Sequence, residues 1–117
     1  MQRRILIAAL MATAALAHAQ TPAHFPAKPV RVIIPSTPGG GTDFIGRNLA
    51  THLAEAKGWV MVPDNRPGAG TALGLAELAR AAPTGYDIVI GQSDNVSLIP
   101  LLMKTSYDPI KDLQPVS

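Results

Sequence analysis

Val30-Arg31-Val32-Ile33-Ile34 is an apolar, mostly β-branched run closed by Pro35, and the period of the chain changes immediately after it. Such a run reads as a strand buried on both faces. A loop follows, Ser36-Thr37-Pro38-Gly39-Gly40-Gly41-Thr42-Asp43. From Phe44 the apolar spacing is helical, with Ile45, Leu49, His52 or Leu53, and Ala56 expected on the inward face and Gly58 as the stop. Strand, glycine turn and helix in succession commit a chain to crossover connections and a parallel sheet.

The rest of the sequence repeats that grammar. Trp59-Val60-Met61-Val62 reads as a second strand closed by Pro63, and Asp64-Asn65-Arg66-Pro67-Gly68-Ala69-Gly70 as a turn-rich loop. Thr71 is the expected N-cap of a second helix carrying Leu75, Leu78, Ala79 and Ala82, ended by Pro83. Asp87 to Gly91 is a third strand, Gln92 to Val96 a polar loop, and Ser97 to Met103 a short helix with Pro100 in its first turn. Gln20 to Pro29 reads as a lead-in loop, and no period is visible from Lys104 to Ser117. The predicted class is α/β with a three-layer parallel sheet.

Residues 1–19 read as an export signal. Arg3 and Arg4 form a positive start, Ile5 to Leu16 is apolar except for Thr13, and Ala17-His18-Ala19 is an A-x-A site, so cleavage is expected after Ala19. The apolar stretch is short for a membrane span, which takes about 20 residues. No membrane insertion is expected once the leader is cut, and the arginine pair fits either Sec or twin-arginine export. The predicted location is an exported compartment.

Charge and composition remove several functions. Of 10 Lys+Arg and 8 Asp+Glu, two arginines lie in the leader, so the remaining chain is formally neutral. With two Phe, two Tyr and one Trp, it has no electrostatic footprint for nucleic acid. Absence of Cys excludes a disulfide scaffold and thiolate metal sites. No His/Asp/Glu cluster has metal spacing, and no cofactor is predicted. Gly39-Gly40-Gly41 does not continue into a dinucleotide fingerprint, because Phe44 stands where glycine is needed. Gly41 and Gly46 have P-loop spacing, but Arg47-Asn48 replaces the required Lys-Ser/Thr. Gly91-Gln92-Ser93-Asp94-Asn95 approaches a nucleophile elbow without its last glycine. A small exported hydrolase using Ser93 would need a base, and His52, inside a helix, has no spaced partner.

What remains is anion capture without chemistry. In open α/β sheets, ligands bind beyond the carboxyl ends of the strands. The three loops leaving those ends, residues 35–43, 63–71 and 91–97, are rich in Gly, Thr, Ser, Asn and Asp. Glycines present backbone N–H groups, and the helix starting near Thr42 adds its positive end. The predicted ligand contacts are Pro38, Gly39, Gly40, Gly41, Thr42 and Asp43, with Gly70, Thr71 and Ser93 from the other two loops. Asp43 is either a ligand contact or a helix cap. Arg66 is either a carboxylate fork or a support for its own loop. Ser93 is either a hydroxyl donor or a cap.

At these residues the sequence resembles a family. Pro29 to Pro35, Pro38 to Asp43, Asn65 to Gly70, Ala81-Ala82-Pro83-Thr84-Gly85-Tyr86 and Tyr107 to Ser117 occur in order and are similar to segments of the Bug (TctC-like) periplasmic solute-binding proteins. These are the receptors of tripartite tricarboxylate transporters. The resemblance implies a Venus-flytrap, type II-like fold that closes on a small carboxylate: a dicarboxylate, tricarboxylate, acidic amino acid or aromatic acid. It implies membrane subunits of that transporter class as partners and a periplasmic location. It places a ligand carboxylate on Gly39, Gly40, Thr42 and Asp43. Receptors of this kind run to roughly three times this length, two domains on the usual size prior. Residues 20–117 are therefore expected to be an incomplete N-terminal α/β domain, without the second domain and the C-terminal return. A truncated remnant without function is the alternative.

Overall fold

A computed structural model describes residues 24–116. The leader expected at residues 1–19, its cleavage after Ala19 and the first part of the lead-in lie outside the described residues. Among the described residues no helix is long and apolar enough to cross a membrane.

The elements run β1 (Val30–Ile34), α1 (Gly41–Lys57), β2 (Met61–Asn65), α2 (Ala72–Arg80), β3 (Asp87–Val89) and α3 (Ile99–Leu102). A 3₁₀ turn, Ala69–Thr71, precedes α2, and a π turn, Asp94–Leu98, precedes α3. The three strands form one sheet in the order β2-β1-β3, parallel throughout. The β-branched run is thus the central strand, and Val30, Val32, Ile33 and Ile34 are fully buried.

Alternation along β1 separates two cores. Val32 and Ile34 pack with Ala50 of α1, joined by Met61, Ile88 and Ile90. Val89, of opposite parity, packs with Ala72, Leu75 and Ala76 of α2 and with Tyr107. The helices therefore cover opposite faces, which makes the expected three layers. Both meet the end of β1 through a glycine. A Cβ on Gly46 would lie 2.8 Å from Ile34 Cδ1, and one on Gly74 would lie 2.8 Å from Pro35 Cβ. A Cβ at either point would force its neighbour to move, the Ile34 side chain at Gly46 and the Pro35 ring at Gly74.

That close packing explains one departure from the sequence reading. The buried residues of α1 are Asp43, Gly46 and Ala50, not the expected stripe, and Ile45 is 59% and Leu49 40% exposed. Small residues, not large apolar ones, seat this helix. Its C-terminus is as expected: Gly58 takes a left-handed φ of 67°, and its N–H reaches Ala54 O at 2.9 Å.

Other boundaries shift too: β2 begins at Met61, not Trp59, and β3 ends at Val89, not Gly91. β2 passes through Pro63 instead of ending there, with Pro63 opposite Val32 in the register. Proline is tolerated because β2 is an edge strand. The last helix begins earlier than expected, through the π turn, and its α-helical part is only Ile99–Leu102. Beyond it, Tyr107 anchors the segment without a regular element: its hydroxyl donates to Asn95 O at 2.5 Å. Burial, then the nearby Asp94 charge, pushes the Tyr107 hydroxyl pKa up, so it stays a donor.

An ion network ties α2 to its face of the sheet. Arg31 donates to Asp87 Oδ1 at 2.6 Å, to Asp64 Oδ2 at 3.3 Å and to Glu77 Oε1 at 2.5 Å. Arg66 joins it through Asp64 at 3.0 Å and Glu77 at 3.4 Å. These groups are partly exposed, where a single pair contributes about 0–1 kcal/mol. Their role is registration of α2 over β1 more than bulk stability.

Candidate functional site

All three strands point the same way, so the loops after them meet at one end of the sheet. The first, residues 35–40, turns at Gly39 with a φ of 85° and enters α1 at Gly40. Gly40 occupies the N-cap position and no side chain caps the helix. The first turn of a helix has N–H groups without intrahelical partners. At α1 these belong to Gly41, Thr42 and Asp43, and they carry the positive end of a 17-residue helix dipole.

Asp43 does not cap α1. Its carboxylate lies at the third helical position and reaches back past the cap, accepting from Gly39 N–H at 2.9 Å. Arg47, one turn on, donates from Nε to both oxygens at 2.9 and 3.0 Å. Asn65 Nδ2 donates to Oδ1 at 2.9 Å. These contacts, Arg47 first, then Gly39, then Asn65, hold the Asp43 carboxyl down to about 2. Asp43 is 5% exposed. A carboxylate so engaged from three directions organises the loop.

Asn65 completes the arrangement. It ends β2 beside Ile34 in the register. It shares the parity of Met61 and Pro63, so it faces α1. Its Nδ2 also donates to Ser36 O at 3.0 Å, and its Oδ1 accepts from Arg47 Nη2 at 2.8 Å. Sequence reasoning did not single out Arg47 or Asn65 as part of this site. The four-residue spacing of Asp43 and Arg47 was a readable signal; the position of Asn65 depends on strand register and was not.

The second loop is strained. Gly68, Ala69, Gly70 and Thr71 have successive φ values of 133°, 50°, 61° and 76°. Thr71 sits at the N-cap position of α2, as expected, but in the left-handed region and with no capping hydrogen bond. Arg66 is committed to Asp64 and Glu77. In the third loop Asn95 is fully buried, and its Oδ1 accepts from Gln92 N–H at 2.8 Å. Ser93 is exposed in the first helical residue of that loop. Ser36 Oγ, Thr71 Oγ1 and Asn95 Nδ2, one from each loop, are buried without a hydrogen-bond partner among the described residues.

A shallow depression of about 350 Å³ lies against the start of α1. Gly39, Gly40 and Asp43 line it, with Phe44, Arg47, Asn48 and Thr51. Of the predicted contacts, these three are brought together there. Gly41, Thr42, Gly70, Thr71 and Ser93 are not among its walls, and exposed Pro38 lies one residue before it.

The profile of the TctC family, described as tripartite tricarboxylate transporter family receptor, matches residues 45–117. The chain belongs to this family. A UPF0065 protein of Bordetella pertussis is 38% identical over 98% of this chain and 35% of its own length. A solved periplasmic transporter superposes with a TM-score of 0.75 at 42% identity, covering 80% of this chain and 32% of that one. MatC of Rhodopseudomonas palustris, with bound malate, gives 0.73 at 33% identity, over 79% of this chain and 32% of MatC. An adipate-bound R. palustris protein gives 0.69 at 32% identity, over 74% of this chain and 29% of its own. The chain spans about a third of the length of the curated relatives it matches. The three-stranded parallel sheet with its helices is the fold of part of these solved structures.

Proposed function

We propose that this chain forms the N-terminal α/β part of a periplasmic receptor that binds a small carboxylate for a tripartite tricarboxylate-type transporter. The observation that carries the reading is the start of α1. It is a helix N-terminus without a side-chain cap, entered through Gly39 and Gly40, with its own carboxylate, Asp43, neutralised by Arg47. Free N–H groups and a positive dipole end suit a ligand carboxylate. The malate and adipate of the structural neighbours agree with such a ligand class.

In this reading the backbone N–H groups of Gly41 and Thr42 receive the carboxylate, while Pro38, Gly39 and Gly40, whose own N–H donates to Thr37 O, shape the approach. Asp43 acts from beneath, by fixing the loop. Gly70, Thr71 and Ser93 serve the remainder of the ligand, from loops at the same end of the sheet. The leader at residues 1–19 directs export and is cleaved after Ala19. The partners are the ligand and the membrane subunits of the transporter. The reading is of a receptor without catalysis: His52 is exposed on α1 beside Glu55 at 3.7 Å, and among the described residues no hydrogen bond joins Ser93 to a base.

The test is calorimetry of the chain with malate, adipate and citrate, each against its amide. One wall of a clamp gives weak affinity, with a dissociation constant on the order of 1 mM, equivalent to about −4 kcal/mol. Acids binding and amides failing would support the receptor reading. Equal heats for acid and amide would sink it.

A further inference from the structure

We propose that Asn65 is a positioning residue for the carboxylate site: it clamps the glycine loop between the end of β2 and the first turns of α1. The inference rests on the receptor reading above for its functional consequence, but the clamp itself is a matter of geometry. One side chain touches three separate points. Its Nδ2 donates to Ser36 O, where the loop leaves β1, and to Asp43 Oδ1, the carboxylate that holds Gly39 N–H. Its Oδ1 accepts from Arg47, which grips the same carboxylate. Removing Asn65 leaves the Ser36 carbonyl and one side of Asp43 unpaired at once. The loop then loses its link to β2, while the Asp43–Arg47 pair inside α1 survives.

Asparagine is required by the pattern of donors and acceptors. It faces two acceptors with its amide nitrogen and one donor with its oxygen. Aspartate is nearly isosteric and keeps the acceptor for Arg47. It also places an oxygen 2.9 Å from Asp43 Oδ1 and 3.0 Å from Ser36 O, with no proton between them. Two carboxylates at such a distance share a proton only when one of them is protonated, which raises one pKa. The charged groups facing this point are Asp43 and Arg47 of α1. Asp64 and Arg66, its neighbours in sequence, belong to the Arg31–Glu77 network, and residues 35–40 carry no charge.

The experiment compares the whole chain with Asn65→Ala and Asn65→Asp. Hydrogen exchange of the Gly39 amide is measured by NMR, and malate affinity is taken as the ratio of variant to wild type at pH 7.5 and pH 4.5. The expected result for Asn65→Ala is faster Gly39 exchange and about tenfold weaker malate binding at both pH values. For Asn65→Asp, exchange is fast and binding weak at pH 7.5, and both return toward wild type at pH 4.5. A side chain that merely stabilised the fold would speed exchange across the sheet and both helices together, whereas loss of the clamp speeds Gly39 ahead of the core amides. Wild-type Gly39 exchange and malate affinity in both variants would overturn the clamp and leave the receptor reading intact. A wild-type chain that binds no malate would overturn the receptor reading, and Gly39 exchange would still decide the clamp. Should Asn65→Ala not fold, the two pH values of Asn65→Asp carry the comparison within one chain.

Discussion

Thr71→Gly should stabilise this protein. Thr71 is β-branched, sits at a φ of 76° and closes a run of four positive φ values. Left-handed backbone outside glycine costs about 1–3 kcal/mol. Its hydroxyl is buried without a partner among the described residues, which adds about 1–3 kcal/mol. Against this, glycine loses about 0.5–1 kcal/mol more chain entropy on folding, and the threonine methyl contributes about 0.8 kcal/mol of burial. The balance is a gain of about 0.2–4.7 kcal/mol, centred on about 2.5, and 1 kcal/mol moves the Tm of a domain this size by about 4–8 °C. Thermal unfolding of the variant and the wild-type chain, followed by circular dichroism, is the assay. Gly70→Ala is the mirror control: it adds a Cβ at a φ of 61°, 3.3 Å from Ile99 Cδ1, and should lower the Tm. A Thr71→Gly chain that melts lower than wild type would refute the strain argument. The threonine would then be held by contacts worth more than its backbone costs.

Other consequences are as direct. Gly74→Ala drives a Cβ to 2.8 Å from Pro35 Cβ and 3.1 Å from Pro35 Cα, atoms that cannot rotate away; overpacking of about 1–3 kcal/mol should exceed the helix gain of about 1 kcal/mol, lowering the urea midpoint. The Asp43 carboxyl, held at about 2 against an ordinary 3.8, contributes stability that is present above pH 3.8 and lost as pH falls toward 2. Asp43→Asn should therefore flatten part of the acid limb of a stability–pH curve, and an unchanged limb would contradict the Arg47–Gly39–Asn65 cradle. Tyr107→Phe leaves the buried Asn95 carbonyl without its donor and should cost about 1–3 kcal/mol, read as a lower melting temperature.

The central strand, the α1 stop at Gly58 and the parallel order were legible because each depends on local signals: a β-branched run, a left-handed glycine, and strand–helix alternation. The inward face of α1 was not. Its contacts are made by Gly46 and Ala50, which an apolar count passes over, while Ile45 and Leu49 attract attention and remain exposed. Pro63 misled for a related reason. A proline ends a central strand but not an edge, and which strand is central follows from pairing, not composition.

The glycine loop itself was legible, and its support was not. Gly39 to Asp43 stand out in any reading, yet the role of Asp43 turned on Asn65, 22 residues away, which the register sets beside Ile34. The ion pairs of Arg66 likewise required α2 to lie over the sheet, so that Glu77 and Asp64 could meet it. Contacts between loops at the ends of parallel strands are properties of register and layer, and one sequence does not display them.

The most direct test of the account is where a carboxylate docks. A ¹⁵N-labelled chain titrated with malate should show the amides of Gly41 and Thr42 shifting together with one dissociation constant, while malic diamide leaves them in place. Shifts confined to the opposite end of the sheet, around Lys28 and Trp59, or none at the start of α1, would contradict the claim that this uncapped helix is the carboxylate site.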